Sequence, residues 1–228
     1  MASYNDGRAL ITQNFEQEVA LSKVPRYSQN TKFGRNPDID TGTPEDVWFG
    51  GGLYTGFDAT ADENLEVFSS DANDSGTLLS SGSASGGSGT TLIDSGASFV
   101  ATDGVAVGDL LINDTRSAHG VISSITNTQI TVHRMIGDVL TSPVINQSGD
   151  SYRVANASDT GMAVLKIMEL LDSNYDRQPS EYVIMDGTTG VTVTGNYMRC
   201  SRAFAVLAGS SGTNEGSVTI RQDVTTAN

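Results

Sequence analysis

Ser70-Asp71-Ala72-Asn73-Asp74-Ser75-Gly76-Thr77 resembles Ala155-Asn156-Ala157-Ser158-Asp159-Thr160-Gly161-Met162, and the two octapeptides bracket a self-contained stretch of chain. Surface loops tolerate insertions because the entropic cost of closing a loop grows only slowly with its length. Each octapeptide therefore reads as one half of a surface loop cut open by an inserted module. This places a host β domain at residues 55–78 plus 156–228, an inserted small β domain at 79–155, and an N-terminal arm at 1–54.

Working outward, the host segments carry short strand signals. Leu65 and Val67 alternate with polar residues, Glu181 to Met185 reads as a strand, Asp186-Gly187 as a hairpin turn and Thr188 to Thr194 as its partner. Ala203 to Leu207 and Val218 to Arg221 add two more strands. Met162 to Leu171 is apolar enough to suit a buried helix and is assigned as a strand on context. The insert opens with Ser80-Ser81-Gly82-Ser83-Ala84-Ser85-Gly86-Gly87-Ser88-Gly89, a composition expected to form a coil linker. Strands are then expected at Thr91 to Ile93, Leu110 to Ile112, Val121 to Ile125, Gln129 to His133 and Tyr152 to Ala155, with Thr126-Asn127-Thr128 as a hairpin loop. Strands this short and closely spaced suggest a barrel-like module. The expected fold class is all-β: a β-sandwich or jelly-roll-like host, an inserted small β-barrel-like domain and an extended arm.

The chain has 228 residues and a formal net charge of −14. That balance excludes a phosphate-backbone binder, which needs a basic face, and no nucleic-acid partner is expected. No apolar run approaches the length of a membrane span, and the first residues lack the basic and apolar regions of a signal peptide, so synthesis in a cytoplasm and no membrane partner are expected. Cys200 is the sole cysteine and cannot form an internal disulfide.

The arm differs from the rest. Ile11, Phe15 and Val19 recur at four-residue spacing, which suggests a short helix near residues 8–21. Lys23, Arg26, Lys32 and Arg35 follow with no acid between them, a local reversal of charge that suits either a solvated loop or an arm laid across an acidic neighbouring subunit. Trp48 stands near Gly50-Gly51-Gly52 and Tyr54, where backbone freedom lets an aromatic anchor reach a pocket. Arg26, Lys32, Arg35, Trp48 and Tyr54 are the candidate partner-contact residues.

Catalytic and metal chemistry finds weak footholds. Asp40-Thr41-Gly42 and Asp159-Thr160-Gly161 share the triplet of aspartic proteases but lack the apolar strands that present it, so turns are the better reading. Asp38, Asp40 and Gly42 imitate the start of a calcium loop, yet Phe49 falls where the bidentate Glu belongs. His119 and His133 are too few for zinc and are expected as exposed strand residues. Cys200, beside Arg199 and Arg202, is expected as a buried apolar residue. Glu66, Glu169 and Glu181 could serve a polysaccharide hydrolase only by composition. No catalytic residue, cofactor or metal is expected, and the chain reads as a non-enzyme.

Two sets of motifs carry a family resemblance. Asn36-Pro37-Asp38-Ile39-Asp40-Thr41-Gly42-Thr43-Pro44-Glu45-Asp46-Val47-Trp48 with Gly50-Gly51-Gly52-Leu53-Tyr54, and later Asp172-Ser173-Asn174-Tyr175-Asp176, Tyr197-Met198-Arg199 and Gly209-Ser210-Ser211-Gly212-Thr213-Asn214-Glu215-Gly216, resemble virion structural proteins of tailed phages. Thr91-Leu92-Ile93-Asp94-Ser95-Gly96-Ala97-Ser98-Phe99, Val107-Gly108-Asp109 and Gly149-Asp150-Ser151-Tyr152-Arg153-Val154 resemble a small β module that recurs in phage structural proteins. The resemblance implies a place in the virion after assembly in the bacterial host cytoplasm. It suggests a capsid decoration, or cement, protein whose partners are the major capsid protein and copies of itself as a homo-oligomer. A tail, adaptor or fibre-base component that binds a host surface is the alternative.

Overall fold

A computed structural model describes residues 63–137, 146–200 and 202–223. The described residues hold fifteen strands and no helix, so the chain is all-β as expected. In chain order they are β1 Glu63–Ser69, β2 Gly76–Ser83, β3 Gly86–Ser88, β4 Thr91–Ile93, β5 Leu110–Asn113, β6 Ala118–Ile125, β7 Gln129–Val132, β8 Ser151–Ala157, β9 Met162–Met168, β10 Leu170–Leu171, β11 Arg177–Gln178, β12 Glu181–Ile184, β13 Val191–Tyr197, β14 Arg202–Ala208 and β15 Val218–Gln222.

Strands β2 to β8 form one seven-stranded antiparallel sheet in the order β2-β8-β5-β6-β7-β4-β3. Its two edges, β2 and β3, are joined by Ala84 and Ser85 alone. Two residues reach only about 7 Å, so the sheet must curl until its edges meet, and a barrel-like unit results. Leu92, Phe99, Leu111, Ile122, Ile130, Val132, Tyr152 and Val154 fill it, with Phe99 and Tyr152 edge to face at 5.8 Å.

The Ser80–Gly89 stretch is therefore not a coil linker. Ser80 to Ser83 pair with Val154 to Ser151, and Gly86 to Ser88 with Ile93 to Thr91. Composition misleads because small residues are what the closing corner requires. A β-carbon at Gly82 would stand 2.9 Å from the Tyr152 hydroxyl, and one at Gly87 would stand 2.6 Å from the Thr91 carbonyl.

The remaining strands form two three-stranded sheets, β13-β1-β15 and β12-β9-β14, and the small ladder β10-β11. Leu65, Val67, Val193 and Tyr197 of the first sheet meet Met162, Leu165, Ile167 and Val183 of the second in one core. β9 also contributes Ala163 and Val164 to a separate cluster with Leu110, Ile112 and Ala155 of the barrel and with Tyr182. Buried on both faces, β9 shows no apolar alternation, which is why its sequence suits a helix as well as a strand.

β12 and β13 do not pair as a hairpin. The Asp186-Gly187 turn is present, with Gly187 at φ 58°, but β12 pairs with β9 whereas β13 pairs with β1. The connection crosses from one sheet to the other, and burial of Val183 and Val193 in the common core outweighs local turn chemistry.

The two echoing octapeptides meet in space. Gly76 faces Ala157 and Thr77 faces Asn156 across β2 and β8, and the Ser158 amide donates to the Ser75 carbonyl. They are not equivalent surface loops, however. Asp74 is 0% exposed, and its carboxylate accepts from Ser69 Oγ at 2.5 Å, from the Met162 amide at 2.7 Å, and from the Glu215 and Gly216 amides at 2.9 Å. Its counterpart Asp159 is exposed and accepts from the next amide, Thr160. One sequence pattern serves a buried junction and a surface bend.

Candidate functional site

The sequence-derived contact residues Arg26, Lys32, Arg35, Trp48 and Tyr54 lie outside the described residues, as do the proposed helix at 8–21, Asp40-Thr41-Gly42 and the calcium-like Asp38. The described part offers three other places to look: the seam between barrel and host sheet, a cleft beside it, and an open sheet edge.

The seam centres on Tyr182 of β12. Its hydroxyl donates to the Ser117 carbonyl at 3.1 Å and lies 2.9 Å from Nδ1 of His119 on β6. A phenol has one proton. With that proton on the carbonyl, His119 must be the Nδ1–H tautomer donating to the phenol oxygen. Ser117 sits at φ 45°, a left-handed conformation unfavourable to a residue with a β-carbon; the bond from Tyr182 helps hold it there. Arg153 of β8 adds a second tie, gripping Asp114 through Nε and Nη2 and donating from Nη2 to the Tyr182 carbonyl at 3.0 Å.

Lys166 of β9 is 1% exposed, with its ammonium 5.1 Å from the centre of the Tyr182 ring. His119, expected on the surface, is only 7% exposed. Burial, reinforced by the Lys166 charge, pulls its pKa from 6.5 down to about 4, so the imidazole is neutral near pH 7. A base, a phenol and an ammonium thus converge, but each is packed away from solvent, and a substrate would have to part the seam to reach them. The group is built to join two modules.

Beside the seam, a cleft of about 210 Å³ runs between β12 and β13, lined by Arg153, Glu181, Ile184, Thr192 and Thr194 among others. Ligand pockets are typically about 300–1,000 Å³, so this one suits a side chain or a few waters. Glu181 is held above the ordinary carboxylate range, mainly by burial and further by the Asp114 charge, although it accepts from Tyr197 Oη at 2.7 Å. Glu66 is engaged by Arg221, its neighbour across β1 and β15 of one sheet, and Glu169 occupies a left-handed position between β9 and β10. The three glutamates stand on separate elements and each of the first two has a structural partner.

The other sequence candidates are accounted for locally. His133 is exposed just past β7. Cys200 is buried, and burial pushes its thiol up to about 11. Asp159-Thr160-Gly161 is a bend. Among the described residues no group of three or more His, Cys, Asp or Glu side chains is placed to hold a metal ion.

Among the described residues, β14 presents an exposed sheet edge. It ends the sheet β12-β9-β14, and Arg202, Ala203, Phe204 and Ala205 are all exposed, Phe204 by 41%. Sequence reading found this strand and missed its exposure. The run Ala203 to Asn214 carries no charge, but residues 75–93 and 117–133 carry none either, so the sequence held no local signal of that exposure.

No family model matches the sequence, and neither a curated protein nor a solved structure does.

Proposed function

We propose that this chain is a structural protein of a tailed-phage virion, a capsid decoration protein that binds and stabilises the head shell. The supporting observation is mechanical. Both strands that carry the chain between host and barrel, β2 and β8, pair along their length, and Tyr182, His119 and Arg153 pin the barrel to the host sheet. Such a double module keeps its shape under load and offers surfaces to partners. In this reading the host sheets seat on the major capsid protein, the arm with Arg26, Lys32, Arg35, Trp48 and Tyr54 reaches neighbouring subunits, and the barrel projects outward. The motif resemblance supplies the particle.

Imaging of particles with the chain tagged, together with its copy number by quantitative mass spectrometry, tests the proposal. A copy number in the hundreds on the head supports decoration. Closed tail symmetry gives small multiples of three or six, and that result would favour a tail, adaptor or fibre-base component. Absence from particles would end both readings.

A further inference from the structure

We propose that β14 is a self-association edge, along which two copies of this chain pair antiparallel about a twofold axis. Among the described residues β14 hydrogen bonds to β9 alone, and no strand among them pairs with its other side. Natural edge strands are guarded by lysines, prolines or inward charges because an open edge templates pairing. From Ala203 to Asn214 there is neither a charged residue nor a proline. Register irregularities at Ala205/Leu207 and Leu207/Ala208 interrupt the pairing with β9 but bring no charge to the strand.

The choice of a second copy follows from charge. With a net charge of −14, two copies repel over most of their surfaces and meet with least repulsion along an uncharged strip. Arg202 begins the strip and Asp159 stands at its far end, where the Gly209 amide donates to the Gly161 carbonyl and the Ser211 amide to Thr160. Antiparallel pairing about the middle of β14 carries Arg202 of each copy to the strand end where the partner copy presents its own Asp159. A twofold axis makes that complementarity twice over. The exposed Phe204 rings then lie near the axis and lose water together.

Sedimentation velocity on the full chain, from low micromolar to several hundred micromolar, is the direct test, with far-ultraviolet circular dichroism to establish folding of each variant. A concentration-dependent dimer is expected. Ala203→Lys with Ala205→Lys, both at exposed positions, should weaken it at least tenfold by placing like charges across the axis. Arg202→Glu and Asp159→Arg should each weaken it about fivefold, since each reversal acts at two symmetric contacts. The two reversals combined should restore it. A monomer throughout the range, or a dimer indifferent to these substitutions, overturns the proposal. Because the readout is the isolated protein in solution, this outcome is independent of the chain's location in a particle.

Discussion

Nδ1 of His119 and the hydroxyl oxygen of Tyr182 lie 2.9 Å apart across the seam between barrel and host, which keeps the imidazole buried beside Lys166. Burial and then Lys166 lower the His119 pKa from 6.5 to about 4. Between these values the unfolded chain binds a proton that the folded chain refuses, so stability rises with pH across that window and is lost as pH falls from 6.5 towards 4. At about 1.4 kcal/mol per pH unit the loss is about 3 kcal/mol at most. Urea denaturation at intervals from pH 7 to 4.5 should show this slope in the native sequence and a flatter one in His119→Gln. Equal slopes would show that His119 does not govern the response.

Tyr182→Phe keeps the ring beneath Lys166 and removes only the hydroxyl. The Ser117 carbonyl and His119 Nδ1–H are then buried without their partner, at a cost of about 1–3 kcal/mol. Because Ser117 loses support for its left-handed backbone, amide exchange should accelerate first in the Asp114–Ser117 turn. Exchange that rises uniformly over the barrel instead would place the hydroxyl's role elsewhere.

Asp74 and Asp159 occupy equivalent places in the two octapeptides, yet substitution should separate them sharply. Burial alone would raise the Asp74 pKa, but Ser69 and the amides of Glu215, Met162 and Gly216 together hold it below 3.8. Its contribution is therefore complete above that value and lost as pH falls through the lower folded pKa. Asp74→Asn keeps an acceptor for two of the four donors but sets an NH2 against the Gly216 amide or its neighbours and removes the charge, and should cost about 3 kcal/mol. Asp159→Asn, exposed, should stay within about 0.5 kcal/mol. Thermal melts of the two variants at pH 7 decide the matter.

Much of this fold was legible because short strands announce themselves locally. Thr91 to Ile93 is β4 as read, and Thr126 to Thr128 does join β6 to β7, with the Thr126 amide donating to the Gln129 carbonyl. What escaped depends on residues distant in sequence. Lys166, His119 and Tyr182 each look like ordinary strand positions, and only the stacking of β9 against the barrel makes them one group. Ser80 to Gly89 reads as linker because nothing local shows that its glycines accommodate Tyr152 and Thr91. The exposure of β14 is equally nonlocal, since it depends on its place at the end of the sheet β12-β9-β14.

Glu181 supplies an effect of opposite sign to that of His119. Its pKa is raised, by burial first, so the folded chain holds a proton more firmly than the unfolded chain, and ionisation above the ordinary carboxylate range weakens the fold. Glu181→Gln retains an acceptor for the Tyr197 hydroxyl and removes the buried charge. The variant should melt higher than the native chain at pH 7 and no higher at pH 4. A lower melting temperature at pH 7 would mean that attraction to Arg153 outweighs desolvation.

Removal of the barrel tests whether the host stands alone. The Ser158 amide and Ser75 carbonyl are 3.1 Å apart, so residues 76–157 can be replaced by two glycines without stretching either end. Cutting at 79 and 155 would instead leave paired stubs of β2 and β8. Every donor to the Asp74 carboxylate, namely Ser69, Met162, Glu215 and Gly216, remains in the shortened chain, as does the core of Leu65, Val67, Leu165, Ile167 and Val183. Two opposing changes follow at the seam: Ala163, Val164 and Tyr182 lose apolar cover, and the ammonium of Lys166 regains water. The shortened chain should fold cooperatively, with a lower melting temperature, and should still bind particles that lack the protein. Cooperative folding with binding lost would assign particle contact to the barrel, and failure to fold would make the seam part of the host's core.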